Sequence, residues 1–272
     1  MTFRAAPAAY DSHVGRYGSD LAQGLIELAG VHRGDQVLDV GCGTGLLTAE
    51  LAAIVGGDHV AAVDPSDPFV EACRRRVPAA DVRVAVAEDL PFADASFDCV
   101  LSQLVVNFLA DPDAGVREMG RVTRPGGTVA ACVWDYAGQM TLLRAFWDAA
   151  VALDPAAATL DEGSMPFCQP DRLRALWQST GLDDVTSHEL RPSVRYSSFE
   201  ELWTPFTTGV APSGAYTVSL DDRRRDALRD QLHRRLGEPA GPFELTARAF
   251  AVVGHIGTTP SVRDMTDGER GT

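Results

Sequence analysis

Three glycines within five residues follow a short apolar segment that contains one carboxylate. The segment is residues 37–40, its acidic residue is Asp39, and the glycine loop is residues 41–45. Apolar residues with helical spacing follow from residue 46 to residue 55. The pattern predicts a buried strand, a tight loop and a helix. Glycines admit a ligand close to the backbone, and the first helical amides point into the same space, so these residues could hold a nucleotide-like ligand.

The glycine spacing distinguishes this loop from two well-known kinds of nucleotide-binding loop. In a dinucleotide fingerprint the third glycine falls three residues after the second, where it suits a pyrophosphate. That position is Leu46 here, and the third glycine is Gly45. A phosphate-binding loop would end in Gly-Lys-Ser/Thr, which is missing at this point. The spacing argues against a nicotinamide-dependent oxidoreductase and against a P-loop nucleotidase.

Residues 38–45 resemble the first motif of class I S-adenosylmethionine-dependent methyltransferases. Later segments match the same family in the same order: Asp64 after the second predicted strand, residues 90–98, and residues 121–127 before the fifth strand. Together they resemble the small-molecule branch that includes the ubiquinone/menaquinone biosynthesis methyltransferases, firmly over about residues 10–135. The resemblance implies S-adenosyl-L-methionine as cofactor and a small molecule as methyl acceptor.

Strands and helices alternate through the first half of the chain. Such alternation predicts a parallel sheet with helices on both faces and with ligands at the carboxyl ends of the strands. Two later apolar segments, residues 185–196 and 243–255, are expected to form an antiparallel end pair. We therefore expect an α/β, Rossmann-like fold with a seven-stranded, mostly parallel sheet, an antiparallel end strand and a helical lid.

The chain is expected to comprise a core and two covering segments. Residues 1–30 would form an N-terminal helical lid, residues 31–196 and 241–256 the methyltransferase core, and residues 257–272 a disordered polar tail. The roughly 45 residues between the last two predicted strands are too many for a hairpin loop. A capping-box pattern begins at Ser197, so residues 197–240 are expected to be a helical lid insertion.

The resemblance implies a set of cofactor contacts at the carboxyl ends of the strands. Asp39 would hold the methionine amino end of the cofactor, directly or through water. Asp64 would accept both ribose hydroxyls, and the guanidinium of Arg16 suits the cofactor carboxylate. The predicted cofactor-binding residues are Arg16, Tyr17, Asp39, Gly41, Cys42, Gly43, Gly45, Asp64, Pro65, Ala87, Glu88, Asp89, Leu90 and Gln103.

The adenine end departs from the family pattern. Similar proteins often carry Asp or Asn two residues before Glu88, where this chain has Val86. Adenine would then depend on backbone groups at Ala87 and Glu88, on apolar walls such as Leu90, and on Glu88 or Asp89 as substitute polar partners. The departure bears on the affinity for adenine and leaves the identity of the cofactor unchanged.

The acceptor pocket is predicted from residues after the fourth strand and in the two lids. The expected wall residues are Tyr10, Asn107, Trp147, Trp203 and Phe206. His13 could act as the catalytic base for an alcohol or phenol, because its ordinary pKa lies near neutrality. The structural alternatives stay open: a solvated His13, a turn capped by Asn107, and aromatic residues that attach the lid to the core.

The charge balance and the cysteines limit the partners. The 272 residues include 24 Lys+Arg and 38 Asp+Glu, for a net charge of −14, which argues against a nucleic-acid partner. The five cysteines lack paired spacing and suit reduced thiols in a cytoplasm. The sequence suggests no metal site, and no apolar run is long enough to cross a membrane. We expect a cytoplasmic monomer or homodimer.

Two functions remain open at this stage. The first is S-adenosylmethionine-dependent methyl transfer to a small molecule, in a setting such as secondary metabolism. The second is a protein that binds the cofactor for a regulatory role without turnover, which the replacement at Val86 would suit. The chain lacks the Asn/Asp-Pro-Pro-aromatic tetrad that is typical of enzymes methylating nucleobase amines or glutamine amides. The acceptor atom is left open.

Overall fold

Apolar segments of the chain form a central sheet and a small ribbon. The computed structural model describes residues 14–258. Its strands are β1 Val37–Val40, β2 Val60–Asp64, β3 Asp81–Val84, β4 Phe97–Gln103, β5 Thr123–Trp134, β6 Asp183–Leu190, β7 Ser193–Tyr196, β8 Phe243–Thr246 and β9 Ala249–His255. Seven of them form one sheet in the order β3-β2-β1-β4-β5-β9-β6, and β7 pairs with β8 separately. The predicted seven-stranded sheet is confirmed.

The sheet is parallel except around β9. Strands β1 to β5 pair in parallel, whereas β9 lies antiparallel between β5 and β6. The antiparallel strand thus lies one position in from the edge. Each of the two late segments divides into two strands, and Pro192, which has no N–H to give to a ladder, lies at the first division. The Pro192 carbonyl instead accepts from the N–H of Ala247 at the second division.

Helices cover both faces of the sheet. They are α1 Gly18–Ala29, α2 Leu46–Val55, α3 Asp67–Arg76, α4 Pro112–Val122, α5 Thr141–Leu153, α6 Pro170–Ser179, α7 Phe199–Trp203, α8 Ala211–Ser219 and α9 Asp222–Arg235. Helices α1, α2 and α3 contact one another in turn, and α1 packs on β4 and β5. Helices α4 and α6 form a second group, in which α4 packs on β4 and β5 and α6 on β6 and β9. Short 3-10 turns are Val14–Tyr17, Gly57–His59, Val106–Phe108, Pro155–Thr159, Glu162–Ser164 and Thr204–Thr208.

The Asp-Pro pattern predicts that an aspartate caps the start of two helices, and the structure forms one of these two caps. Asp111 caps α4, because its side chain accepts from the N–H of Ala114, as the Asp-Pro pattern predicts. The same pattern at Asp67 predicts a cap that the structure does not form. There Ser66 occupies the capping position without a side-chain bond, and Asp67 is already helical. The difference arises because Asp64 holds the Ser66 N–H and fixes the turn one residue earlier.

The insertion of residues 197–240 packs on α5. Helices α8 and α9 both contact α5, and the rings of Phe146 and Phe206 stack with centroids 4.5 Å apart. The capping box lies one residue later than expected. Ser198 Oγ accepts from the N–H of Glu201, and the Glu201 carboxylate accepts from the N–H of Ser197.

Candidate cofactor and acceptor site

The glycine loop is tied to the neighbouring strand β2. The N–H groups of Gly41 and Cys42 donate to the carbonyl of Val63 over 2.8 and 2.9 Å. Gly41 has φ +78°, and a Cβ there would collide with the side chain of Val105. Gly43 has φ +52°, and no atom lies within 4 Å of the position that its Cβ would occupy. The loop is therefore packed on one side and leaves open space at Gly43.

Asp64 links this loop to the start of α3. Its Oδ2 accepts from the N–H of Gly43 over 3.0 Å, and its Oδ1 accepts from the N–H of Ser66 over 2.9 Å. Burial raises the pKa of Asp64, and the two backbone hydrogen bonds oppose that rise. Each carboxylate oxygen keeps a further lone pair, so the side chain can hold the loop and accept ligand hydroxyls together.

Asp39 carries an unpartnered oxygen into the same region. The residue is 1 % exposed, and its Oδ2 accepts from Thr48 Oγ over 2.6 Å. Its Oδ1 has no hydrogen-bond partner within residues 14–258. Burial is the main reason that the pKa of Asp39 rises to about 7, with the nearby Asp64 adding to the rise and the Thr48 hydrogen bond opposing it. A buried oxygen of this kind costs roughly 1–3 kcal/mol when unpaired, so it is suited to a ligand donor.

A cleft of about 330 Å³ runs along the carboxyl ends of β1, β2 and β4. Nine of the predicted cofactor residues line it, and they are Asp39, Gly41, Cys42, Gly43, Asp64, Pro65, Ala87, Glu88 and Gln103. The convergence that the sequence predicts at this edge is therefore present. Apolar residues that the sequence analysis did not select also line the cleft, and they are Leu46, Leu47, Phe69, Ala85, Leu104, Val105, Phe108 and Leu109.

The sequence gives only a weak indication that these unselected apolar residues line a cleft. They directly follow or precede the recognised segments, as Leu104 and Val105 follow β4. Their apolar character is what any core residue would show, so the sequence gives no reason to place them in a cleft. Gly18 also lines the cleft at the start of α1. Its position is visible only once α1 is packed on the sheet.

At the adenine end, Glu88 has a structural task. Its Oε1 accepts from the N–H groups of Ala110 and Asp111 over 3.0 and 3.2 Å, which fixes the segment after β4. Val86 lines the cleft and is 45 % exposed. This wall therefore offers apolar surface and backbone groups.

Five predicted cofactor residues lie away from the lining of this cleft, and they are Arg16, Tyr17, Gly45, Asp89 and Leu90. Gly45 precedes α2, where a Cβ would press on Cys73. Leu90 is buried and its N–H donates to Glu118. Asp89 donates its N–H to the Val86 carbonyl. Tyr17 is fully buried, and its ring meets that of Trp134 edge to face at 5.8 Å.

Arg16 is engaged by the insertion in place of the cleft. Its guanidinium lies 2.8 Å from Glu201 and donates to the carbonyl of Arg195 over 3.2 Å. It also lies over the ring of Tyr196, 4.6 Å from the centroid. These contacts connect the Val14–Tyr17 turn with α7, and a contact with a cofactor carboxylate would require Arg16 to leave them.

The described residues that were predicted for the acceptor pocket lie in two separate places. Asn107 is 5 % exposed in the turn after β4; Val105 and Phe108 on either side of it line the cleft, and Asn107 itself does not. Trp147, Trp203 and Phe206 lie in a buried aromatic cluster beneath the insertion, and none of them lines the cleft. The indole N–H of Trp147 donates to Glu162 over 3.1 Å. Tyr10 and His13 lie outside the described residues, as does the tail beyond residue 258.

Two further findings concern residues 14–258 alone. None of the helices in this part of the chain has the length and apolar character needed to cross a membrane. The same residues contain no cluster of three or more His, Cys, Asp or Glu side chains that could hold a metal ion.

Comparison with known proteins agrees with this geometry. A family model described as a methyltransferase domain matches residues 38–131. A malonyl-[acyl-carrier protein] O-methyltransferase of Erwinia pyrifoliae is 30 % identical over 221 residues, which cover 74 % of this chain and 83 % of the relative. A ubiquinone/menaquinone biosynthesis C-methyltransferase of Pseudomonas putida is 30 % identical over 187 residues, 62 % of this chain and 73 % of the relative.

A solved structure shares the fold. Phosphoethanolamine N-methyltransferase 2 of Haemonchus contortus, solved with S-adenosyl-L-methionine, superposes with a TM-score of 0.55 at 16 % identity, covering 87 % of this chain and 52 % of that one. The open space at Gly43 and the unpaired oxygen of Asp39 fit such a ligand. The chain belongs to the class I S-adenosylmethionine-dependent methyltransferases related to the ubiquinone/menaquinone biosynthesis enzymes, and S-adenosyl-L-methionine is its cofactor.

Proposed function

We propose that this chain catalyses methyl transfer to a small, partly apolar acceptor, in a setting such as secondary metabolism. The observation that carries the proposal is the unpaired, buried oxygen of Asp39 beside the open space at Gly43. A protein that only needed a stable loop would gain by pairing that oxygen or removing it. Its retention at the cleft supports a ligand with a hydrogen-bond donor at this point.

Each polar group of the cleft has a proposed task. Asp39 would hold the amino group of the cofactor, and Asp64 would accept the ribose hydroxyls while it keeps the Gly43 N–H. Backbone groups near Ala87 would meet the adenine ring between apolar walls. These assignments rest on the family resemblance together with the placement of the side chains in one cleft.

Methyl transfer from this cofactor needs little acid or base catalysis by the protein. The bound cofactor supplies an activated methyl group on a sulfonium. The chain's own task is to exclude water and to align the acceptor, for which Leu104, Val105 and Phe108 provide apolar surface at the end of β4. Alignment of this kind can contribute on the order of 7 to 11 kcal/mol in favourable systems. His13 stays a proposed base for an acceptor that must lose a proton.

We further propose that residues 1–30 and 197–240 act as lids on a core formed by residues 31–196 and 241–256. The ion pair between Arg16 and Glu201 supports the proposal, because it joins the two segments directly. Trp147, Trp203 and Phe206 would then shape the acceptor pocket through the position of the insertion. The two relatives methylate oxygen and carbon respectively by their names, so kinship leaves the acceptor atom open.

Calorimetric titration with S-adenosylhomocysteine, the product of methyl transfer, tests the cofactor contacts. Replacing Asp64 with Asn should weaken binding about tenfold to a hundredfold, because an amide N–H would face the N–H of Gly43 or Ser66 and one ribose acceptor would be lost. Asp67→Asn is the matched control, since Asp67 lies nearby at the start of α3 and does not line the cleft. Equal affinity in both variants would contradict the role of Asp64.

Turnover is tested separately from binding. The protein is incubated with S-adenosyl-L-methionine and a panel of phenols, alcohols, amines and carboxylates, and formation of S-adenosylhomocysteine is measured. Acceptor-dependent product is the expected result. Tight binding of the cofactor with no product from any acceptor class would favour a regulatory role over catalysis.

A further inference from the structure

Unpaired polar atoms within residues 14–258 gather at one end of the sheet. Buried side-chain atoms without a hydrogen-bond partner include Asp39 Oδ1, Gln103 Oε1, Asn107 Nδ2 and Trp134 Nε1. Asp39 belongs to the cofactor cleft described above. The other three residues lie at or just after the carboxyl ends of β4 and β5. Because most buried polar atoms in folded proteins are paired, this grouping needs an explanation.

Contacts connect Gln103 and Trp134 through Gly18 and Tyr17, and Asn107 lies in the turn that follows β4. Gln103 Nε2 donates to the carbonyl of Gly18 over 3.2 Å, and the preceding residue, Tyr17, meets the ring of Trp134. Gln103 is opposite Cys132 in the β4–β5 ladder, and Trp134 follows two residues later on the same face. Gln103 also lines the cofactor cleft, so the region adjoins the cofactor.

Gln103 presents an acceptor whose orientation is fixed. Its amide cannot be turned over without placing Oε1 against the carbonyl oxygen of Gly18. The nitrogen therefore stays with Gly18, and Oε1 is the free end.

Trp134 presents the complementary group. An indole nitrogen can only donate, and the side chain is 1 % exposed, so neither solvent nor a described residue satisfies it. Asn107 adds an amide that can donate or accept after a half-turn. The region thus offers one fixed donor, one fixed acceptor and one adaptable group, without a charged side chain among the three.

We infer that the acceptor molecule presents an uncharged hydroxyl group to Trp134 and Gln103. The indole N–H donates to the hydroxyl oxygen, and the hydroxyl hydrogen is donated to Gln103 Oε1. Asn107 binds a second oxygen of the same molecule. An ammonium group has no lone pair for the indole, and a carboxylate has no hydrogen for Gln103. Alcohols, phenols and enols therefore fit, and amines and carboxylates do not.

The inference rests on the proposed function in placing an acceptor beside the cofactor. Its test uses four probes of one shape: benzyl alcohol, benzyl methyl ether, benzylamine and benzoate. Their affinities for the full chain saturated with S-adenosylhomocysteine are measured by ligand-observed NMR titration. Benzyl alcohol should bind at least about tenfold more tightly than each of the others, since each leaves one buried group unpaired.

Two tryptophan variants test whether the preference for benzyl alcohol depends on Trp134. Trp134→Phe should weaken benzyl alcohol and benzyl methyl ether about tenfold, because the oxygen of each accepts from the indole N–H, and it should leave benzylamine and S-adenosylhomocysteine within threefold. Trp177→Phe is the matched control, because Trp177 is equally buried and its indole donates to the carbonyl of Val129 in the protein itself. It should leave the preference unchanged. The comparison among probes on the unaltered chain needs no variant to fold.

The outcomes separate the two proposals. Failure of S-adenosylhomocysteine to bind would overturn the proposed function. Binding of S-adenosylhomocysteine with equal affinity for the four probes, with none of them bound, or with a preference for benzyl alcohol over benzylamine that survives Trp134→Phe would overturn the hydroxyl assignment alone.

Discussion

At the scale of single residues, Asp39 shows how a binding site can oppose stability. Its carboxylate is buried with one oxygen bonded to Thr48 and the other unpaired. Burial lifts its pKa from the ordinary 3.8 to about 7. Because the pKa of Asp39 is higher in the folded protein than in the unfolded one, the protonated carboxyl favours folding at low pH. The ligand-free protein loses that stability as the pH rises from about 4 to about 7. A ligand cation would reverse the preference by favouring the ionised form.

The pH dependence of cofactor binding follows from that shift. Affinity for S-adenosylhomocysteine should rise up to about tenfold per pH unit between pH 5.5 and 7 and then level off, because binding the ligand amino group requires Asp39 to release its proton. Calorimetric titrations across this range measure the effect. Asp39→Asn should bind weakly with no such slope. A flat profile in the unaltered chain would contradict the assignment of Asp39.

Asp39 and Asp64, which the sequence analysis selected as cofactor residues, line one cleft, because both lie near the carboxyl ends of strands whose pattern is local. The sequence by itself could not show that Arg16 pairs with Glu201 or that Glu88 holds the N–H groups after β4. Long polar side chains can reach many partners, and which partner is near depends on packing between segments far apart in the chain. The sequence analysis did not select Trp134 as a site residue for the same reason.

At the scale of elements, the glycine loop works because β2 holds it and α3 begins beside it. Gly41 must be glycine for packing, since Val105 fills the space where a Cβ would lie. Gly43 has open space instead, and we propose that its lack of a side chain admits a ligand. The two glycines therefore have different physical roles within one motif.

A pair of alanine substitutions separates ligand access from backbone strain. Gly43→Ala and Gly34→Ala both force a side chain onto positive φ, +52° and +96°, with no neighbouring atom within 4 Å. Each should lower the free energy of unfolding by about 1–2 kcal/mol. Only Gly43→Ala should weaken S-adenosylhomocysteine, by at least about tenfold, because only its methyl group enters the cleft. Chemical denaturation and calorimetry measure the two effects, and equal losses of affinity would refute the distinction.

At the scale of the whole molecule, the order of the strands collects the site. Residues from β1, β2, β4 and the segments that follow them are far apart in sequence, yet they line one cleft because parallel strands end at the same edge. The insertion lies over α5 and is linked to the N-terminal turn by Arg16. Binding at this edge should therefore stabilise the fold as a unit.

Thermal unfolding measures that coupling. At a concentration about 100 times its dissociation constant, S-adenosylhomocysteine should add about 2.7 kcal/mol to the free energy of unfolding. For a chain of this size the expected increase in Tm is about 5–10 °C. NADH at the same concentration is the control and should leave Tm unchanged, since the third glycine is Gly45 and Leu46 occupies the dinucleotide position. An equal shift with NADH would contradict the cofactor assignment.

The sequence by itself determined the features that depend on near neighbours. Residues 37–55 specify strand, loop and helix through apolar periodicity and glycine spacing, and Asp111 with Pro112 specifies a helix start. Alternation of these elements was enough to predict the sheet and the edge along which the cleft lies. The physical reason is that periodicity, capping and backbone torsion act within a few residues.

Only the tertiary structure decided which polar groups are satisfied and which are left for a ligand. Arg16 and Glu201 are separated by most of the chain, and Trp134 meets Tyr17 only after α1 has packed on β5. It also decided that β9 lies inside the edge of the sheet. Hydrogen bonds and burial between distant segments depend on the folded arrangement as a whole, because every candidate partner competes for the same space.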